Sequence, residues 1–330
     1  MKVYVSTYSN KKFLYKCVIK NSGIIKIEKR IKMNDYASYI NRFHSKIAIA
    51  LKKSSKENKA GIALLSKNLK CKYEYKNNNS YTHIYIDKEY IIAASYHDSN
   101  ILIINSKSKK SSLVKIEKSK IHNVGKLFKE LYYAVDLAQS KIYVFKINGI
   151  KYELQNEIKL NEQEQPRHLI CYKRNIYILC ENTSKIISLK YEDGQFIQTQ
   201  EIATLNSKEK ILNMPSAIRR YKKYIFVSNR GENTISIFRI HKYGTLQRAG
   251  YFRTKGENPR DFNILNNGKI LVVANQNSNE VLTFKINYKK NEVINIDKIQ
   301  IEQPVCVEKW GKYGNKSDTS KTCRMHREYK

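Results

Sequence analysis

Apolar and polar positions alternate in short runs along almost the whole chain, and helical spacing is hard to find. Period-two runs of this kind predict half-buried strands, and the polar clusters between them predict turns. The runs also repeat as a longer phrase. PRHLICYKRNIYILCENTSKIISLKY, PSAIRRYKKYIFVSNRGENTISIFRI and PRDFNILNNGKILVVANQNSNEVLTFKI each read strand, tight turn, strand, polar loop, strand, and PVCVEKW is a truncated fourth copy. Each opens on one of the chain's four prolines, Pro166, Pro215, Pro259 and Pro304, at intervals of roughly 45 residues. Proline lacks a ladder donor, so a strand tolerates it at its first position and rarely inside. The same pattern without proline runs through YTHIYIDKEYIIAASYHDSNILIINS and IHNVGKLFKELYYAVDLAQSKIYVFKI, and two looser copies precede them. The first apolar residue after each polar loop falls at Leu14, Ile62, Ile101, Ile142, Ile186, Ile235 and Val281. Seven units at about 40 to 50 residues each are the spacing of propeller blades.

The two ends complete the count. VYVSTYSNKKFLYKCVI begins at the second strand of the pattern, and PVCVEKW is a first strand without followers. Paired, they make one blade and leave no open sheet edge. The expected fold is therefore all-β, a seven-bladed β-propeller over residues 1–310, with blade 1 closed by the C-terminal strand against the N-terminal strands. Residues 311–330 break the pattern and are expected to form a basic, disordered tail. A β-sandwich is the competing arrangement, and it leaves the proline register unexplained.

Composition narrows the function. A hydrophobic fraction of 41%, with 25 Tyr and 10 Phe, supplies enough apolar surface for a folded core. The net charge of +33 raises the question of a polyanionic partner. Most of the 62 basic residues are Lys, however, spread along the chain beside frequent Asn, Ile and Tyr, with no basic helix, zinc finger or aromatic RNA-binding signature. The charge is read as compositional bias able to gather small anions, and a nucleic-acid partner is not expected. Cys17, Cys71, Cys171, Cys180, Cys306 and Cys323 show no C-x-x-C pair, which favours free thiols in a reducing compartment. The opening MKVYVSTYSN alternates like a strand and no run approaches membrane-spanning length. A cytoplasmic protein without a membrane partner, a monomer or weak dimer, is expected.

In a propeller blade the first strand lines the channel and the second pairs antiparallel with it, so the start of one and the end of the other share an edge. His168 opens a first strand and Glu181 ends the second strand of the same unit; Arg230, Arg260 and Gln276 occupy the same edge of the next two units. His83, His97, His122 and Asp136 occupy that edge in the preceding units. Singly, each is read most simply as a solvated or packing residue. Together at one channel mouth they mark a site. In a chain that uses Lys by default, Arg at these positions points to planar recognition of carboxylate or phosphate. A metal is the rival account of the histidines, but no H-E-x-x-H or paired-Cys signature is present and two arginines would repel a divalent cation. With no G-x-S-x-G and no Gly-rich phosphate loop, water is the expected nucleophile.

The phrases PRHL, SNRGENTISIF, GENPRDFNI, ANQNSNEVLTF and PVCV, with AASYHDSNI, AVDLAQSKIYVF and the opening VYVSTYS, resemble the propeller-type lactonase family, which includes bacterial 6-phosphogluconolactonase and the fungal carboxy-muconate cyclase. The resemblance spans nearly the whole chain and is most specific from Pro215 to Val281. It implies a seven-bladed fold and an active site of a His, a Glu and arginines, which fall by motif on His168, Glu181, Arg230 and Arg260. It implies hydrolysis of a sugar lactone, 6-phospho-D-glucono-1,5-lactone to 6-phosphogluconate in the pentose phosphate pathway, with no cofactor. His168 is then the base on water, Glu181 orients it, and Arg230 and Arg260 hold phosphate or the oxyanion. His83, His97, His122, Asp136 and Gln276, gathered by their shared edge, are expected to bind the substrate. The chain departs from the family pattern at His83, where YTH replaces P-x-H, and at Ala138, where the D-L-G phrase reads Asp136, Leu137, Ala138. A muconate-type cycloisomerase, a lactonase for another acid, and a non-enzymatic propeller binding through its basic surface remain as alternatives.

Overall fold

The computed structural model describes residues 1–55, 59–66, 68–206, 211–288 and 292–310. Residues 311–330, expected as a tail, and Cys323 among them lie outside the described residues. The described strands form seven four-stranded antiparallel sheets. Blade 1 joins Pro304–Trp310 to Lys2–Thr7, Phe13–Ile19 and Ile25–Lys32; blades 2 to 7 take residues 36–77, 83–115, 121–159, 166–203, 214–253 and 259–300 in chain order. The middle strands are continuous apolar runs because both faces are covered: Ile270–Asn275, ILVVAN, is buried throughout. The outermost strands alternate because one face meets water, as in Glu292–Gln300. The seven residues that anchor the repeat, from Leu14 to Val281, all sit in third strands and are 0% exposed.

A single blade cannot bury both of its faces, so the core lies between blades. Seven apolar clusters fill the seven gaps, each drawing on two adjacent blades. One of them packs Val3, Val5 and Val307 of blade 1 against Leu265, Val272 and Val281 of blade 7, so the ring has no unfilled seam. Pro304–Trp310 runs antiparallel to Lys2–Thr7, with Val5 opposite Val307 and Tyr4 opposite Glu308. A polar relay ties the same junction. Arg219 Nη2 of blade 6 meets both oxygens of Asp261 of blade 7 at 2.9 Å, and Oδ2 of that carboxylate also accepts the Val307 N–H of blade 1 at 2.8 Å.

One irregularity recurs and decides what faces the channel. Near the start of the innermost strand the pairing skips a residue: Ile121 pairs with Asp136 and Asn123 with Val135, leaving His122 unpaired. The same skip leaves Arg167, Arg260, Ser38 and Val305 unpaired in their blades, and the interval containing Ser216 is irregular in blade 6. A bulge of this kind re-aims the extra side chain and bends the strand.

Among the described residues no helix is long and apolar enough to cross a membrane. Cys17, Cys71, Cys171, Cys180 and Cys306 are free thiols.

Candidate active site

The bulge converts the sequence repeat into a layered channel. Three register positions matter: the bulged residue, the residue after it, and the residue on the second strand that follows the partner of the pre-bulge residue. The bulged position supplies His122, Arg167 and Arg260, and Thr82 stands at the matching place before blade 3. The third position supplies Tyr8, Lys52, Glu181 and Arg230, and Tyr96 stands at the matching place in blade 3. These nine residues and His97 line one cavity of about 240 Å³ at the channel mouth. The position after the bulge supplies Tyr39, His83, Asn123 and His168, which line a second cavity, of about 90 Å³, deeper in the channel.

Four cations and one carboxylate line the mouth. Glu181 takes both Arg167 Nε, at 3.1 Å, and Arg230 Nη2, at 2.5 Å, each on a different oxygen. Backbone carbonyls fix the two forks: Arg230 Nε donates to Met214 O at 2.8 Å, and Arg167 Nη1 donates to Ser216 O. Arg167 is buried, and that burial, opposed by Glu181 and reinforced by the guanidinium groups of Arg230 and Arg260, pulls its pKa down to about 9. Arg260 reaches Gln276 Oε1 at 3.2 Å, and Lys52 completes the set. An anion is the missing counter-charge.

His122 differs from its neighbours. Its Nδ1 is buried and makes no hydrogen bond, and its ring stands 5.2 Å from that of His168. Burial, then the charges of Arg167 and Arg260, hold its pKa well below the ordinary imidazole range. The ring is therefore neutral at pH 7, and its Nδ1 carries a lone pair or N–H that no protein group uses.

The nine residues anticipated as site residues fall in three groups. Glu181, Arg230, Arg260, His97 and His122 share the mouth cavity. His168 and His83 belong to the deeper tier. His168 was expected to share a register with Arg260, but the bulge shifts the frame by one: its equivalent in blade 7 is Asp261, and Arg167 is the equivalent of Arg260. His168 Nε2 lies 3.3 Å from Arg167 Nη1, which can only donate, so that nitrogen is an acceptor already in use. Glu181, expected to orient His168, has its two oxygens on arginines instead. His83 is pushed down to about 3 by burial, then by Arg219 and Arg167, and its Nε2 meets Asn123 Nδ2 at 2.9 Å. Asp136 and Gln276 form the third group. Asp136 is fully buried and accepts the N–H groups of Lys120, Ala138 and Gln139, which makes it the pin of a turn; Gln276 braces Arg260 and Asn258 from behind.

Arg167, Lys52, Tyr8, Thr82 and Tyr96 were not anticipated. A signal for Arg167 was present: PRHL and PRDF align Arg167 with Arg260 directly after the proline. Among the described residues no group of three or more His, Cys, Asp or Glu side chains is placed to hold a metal ion.

Because Glu181 is the sole carboxylate between two buried guanidinium groups, Glu181→Gln should cost on the order of 3 kcal/mol of stability. Urea unfolding followed by fluorescence reads this as a lower midpoint at unchanged slope. An unchanged midpoint means that the arginines do not depend on that carboxylate.

Comparison with known proteins adds to this geometry. A family model described as "Lactonase, 7-bladed beta-propeller" matches residues 2–309. An uncharacterized protein of Staphylococcus saprophyticus is 24% identical over 323 residues, covering 88% of this chain and 92% of its own. Two solved structures superpose closely: a periplasmic gluconolactonase of Pseudomonas aeruginosa, with TM-score 0.83, 16% identity and coverage of 93% of this chain and 98% of its own, and a protein of Bacteroides fragilis provisionally described as a 6-phosphogluconolactonase, with TM-score 0.81, 21% identity and coverage of 93% and 97%. At these identities the two structures establish a shared fold.

Proposed function

Because this chain belongs to the lactonase family of seven-bladed β-propellers, we propose that its channel mouth hydrolyses a sugar δ-lactone, and that the substrate is 6-phospho-D-glucono-1,5-lactone. The observation that carries this reading is the unpartnered, buried Nδ1 of His122 in a cavity it shares with Lys52, Arg167, Arg230 and Arg260. On this reading a neutral imidazole serves as base beside donors for a developing negative charge.

The steps follow from those groups. Water attacks the lactone carbonyl while the His122 imidazole takes its proton. The carbonyl π pair moves to oxygen, and the resulting oxyanion is met by N–H groups of Arg167 and Arg230. Each guanidinium has five donors, and Glu181 and the backbone carbonyls occupy only some of them. Their forks are held before substrate arrives, so little reorganisation accompanies charge development. Collapse of the tetrahedral adduct breaks the bond to the ring oxygen, and the His122 imidazolium returns the proton to it. The product is the open-chain hydroxy acid, and His122 is neutral again. His168, beneath, accepts from Arg167 and so positions that guanidinium.

Proton release from purified protein tests the proposal, with rates corrected for spontaneous lactone opening. Acceleration of 6-phosphoglucono-δ-lactone opening, greater than that of glucono-δ-lactone, is expected. Rates equal to buffer for both would overturn it.

A pH profile tests the base. A His sitting well below its usual range stays deprotonated as pH falls, so kcat/KM for unphosphorylated glucono-δ-lactone, which has no phosphate to titrate, should remain flat through the ordinary imidazole value of about 6.5 and decline only at lower pH. A half-maximal point near 6.5 would assign the base to an unperturbed group instead.

A further inference from the structure

The two sides of the mouth differ in charge balance. On blades 5 and 6, Arg167 and Arg230 share Glu181. On blades 7, 1 and 2, two cations approach one aromatic ring: Lys52 Nζ lies 5.4 Å from the Tyr8 ring centroid, and Arg260 Cζ lies 5.5 Å from the same centroid. Among the described residues no carboxylate forms an ion pair with either. The hydrogen-bond partner of Arg260 is the neutral amide oxygen of Gln276. The ammonium of Lys52 is half-buried and is pulled below its usual range first by that burial and then by Arg260.

A folded chain rarely holds two like charges together with nothing between them. Tyr8 softens the conflict, since its π face attracts both cations, but a neutral ring cannot cancel two positive charges. The remaining groups on this side are donors or are neutral. His97 is held below its usual range by burial and by Lys52, and Thr82 brings a hydroxyl. A monoanion would leave one of the two cations uncompensated. A phosphate monoester brings nearly two negative charges and three acceptor oxygens, which matches an ammonium plus a bidentate guanidinium.

We propose that Lys52 and Arg260, set on the Tyr8 ring, form a phosphate-monoester subsite distinct from the Arg167–Glu181–Arg230 half in which the carbonyl reacts. The proposal deepens the lactonase reading and takes its substrate orientation from it: the phosphate end lies toward blades 7, 1 and 2, and the lactone ring toward blades 4 to 6. Lys52 and Tyr8 thereby become determinants of specificity.

Two measurements separate the subsite from the reaction. In the first, 31P NMR titrations of the wild-type chain, Lys52→Met and Arg260→Gln use inorganic phosphate and 6-phosphogluconate, with gluconate competition as the unphosphorylated arm. The wild type should bind both phosphates, and each variant should weaken that binding by about tenfold to a hundredfold, the loss of one charge-assisted contact. 6-Phosphogluconate binding tighter than inorganic phosphate identifies a sugar phosphate as the ligand, and equal affinities identify the free ion. In the second, the ratio of kcat/KM for phosphorylated over unphosphorylated lactone should fall at least tenfold in Lys52→Met, through KM. No phosphate binding by the wild type, or binding that neither variant weakens, overturns the subsite. A chain that binds phosphate as described yet opens no lactone overturns the reaction and leaves the subsite standing. Lactone opening with an unchanged substrate ratio does the reverse.

Discussion

Replacing His122 by Ala should lower kcat/KM for 6-phosphoglucono-δ-lactone at least a hundredfold, the usual contribution of a positioned general base. Loss of proton transfer should appear mainly in kcat, because no substrate-binding charge is removed. The substitution leaves a small void beside His168, and the bulged residue takes no part in the ladder, so the blade itself should persist. His168→Ala is the informative companion. It removes the acceptor from Arg167 Nη1 in the deeper tier and should act through the placement of that guanidinium. If His168→Ala loses more activity than His122→Ala, and the lost limb of the pH profile goes with it, the base is His168 and the layering has been misread. Chemical rescue distinguishes the two cases further. Imidazole added to His122→Ala should restore part of the rate, whereas a positioning defect at His168 gives no such rescue.

The second large effect concerns closure. Ending the chain at Gln303 removes Pro304–Trp310, the innermost strand of blade 1, and should make the chain aggregate. Pro304, Val305, Cys306 and Val307 are all at most 3% exposed or classed as buried, and burying each Val alone is worth about 1.5 to 3 kcal/mol. Their loss uncovers the Lys2–Thr7 edge, whose N–H and C=O groups would otherwise pair in register with Pro304–Trp310. It also strips Asp261 of the Val307 N–H and Asn263 of the Val307 carbonyl, leaving buried polar groups unsatisfied in blade 7. Size-exclusion chromatography of the truncated chain reads the outcome. A stable species at the monomer position with native unfolding behaviour would show that the ring does not need its fastener.

Most of the architecture was readable in the repeat because blades are local. Each is a run of antiparallel hairpins whose turns and apolar periods lie within some 45 residues, so strand type, order and count follow from nearest neighbours in sequence. Even the closure, a pairing between the two ends of the chain, was legible as a phrase missing its first strand and a first strand missing its phrase. The site was legible to a coarser degree. Glu181, Arg230, Arg260, His97 and His122 could be grouped in advance, and do line one cavity, because their edge follows from strand order alone. What strand order does not contain is the bulge, a single skipped pair that decides whether Arg167 or His168 of the same dipeptide enters the mouth. The apolar and polar periodicity within one blade does not report that skipped pair. Asp136 illustrates a second limit. It stands at the end of its second strand, but two backbone N–H groups of its own turn, Ala138 and Gln139, and that of Lys120 before the neighbouring strand claim the carboxylate. Lys52 shows a third, since one lysine in a chain rich in lysine carries no sequence signal until its neighbours in space are known.

The central claim is that two register positions, repeated around the ring, gather a neutral imidazole and an uncompensated set of cations into one mouth that takes a phosphorylated lactone. A crystal structure with 6-phosphogluconate bound tests it most directly. The product's carboxylate should lie within hydrogen-bond reach of His122 and of Arg167 or Arg230, with its phosphate on Lys52 and Arg260. Product held in the deeper tier around His83 and His168, or on the outer strands of the blades, would contradict the account.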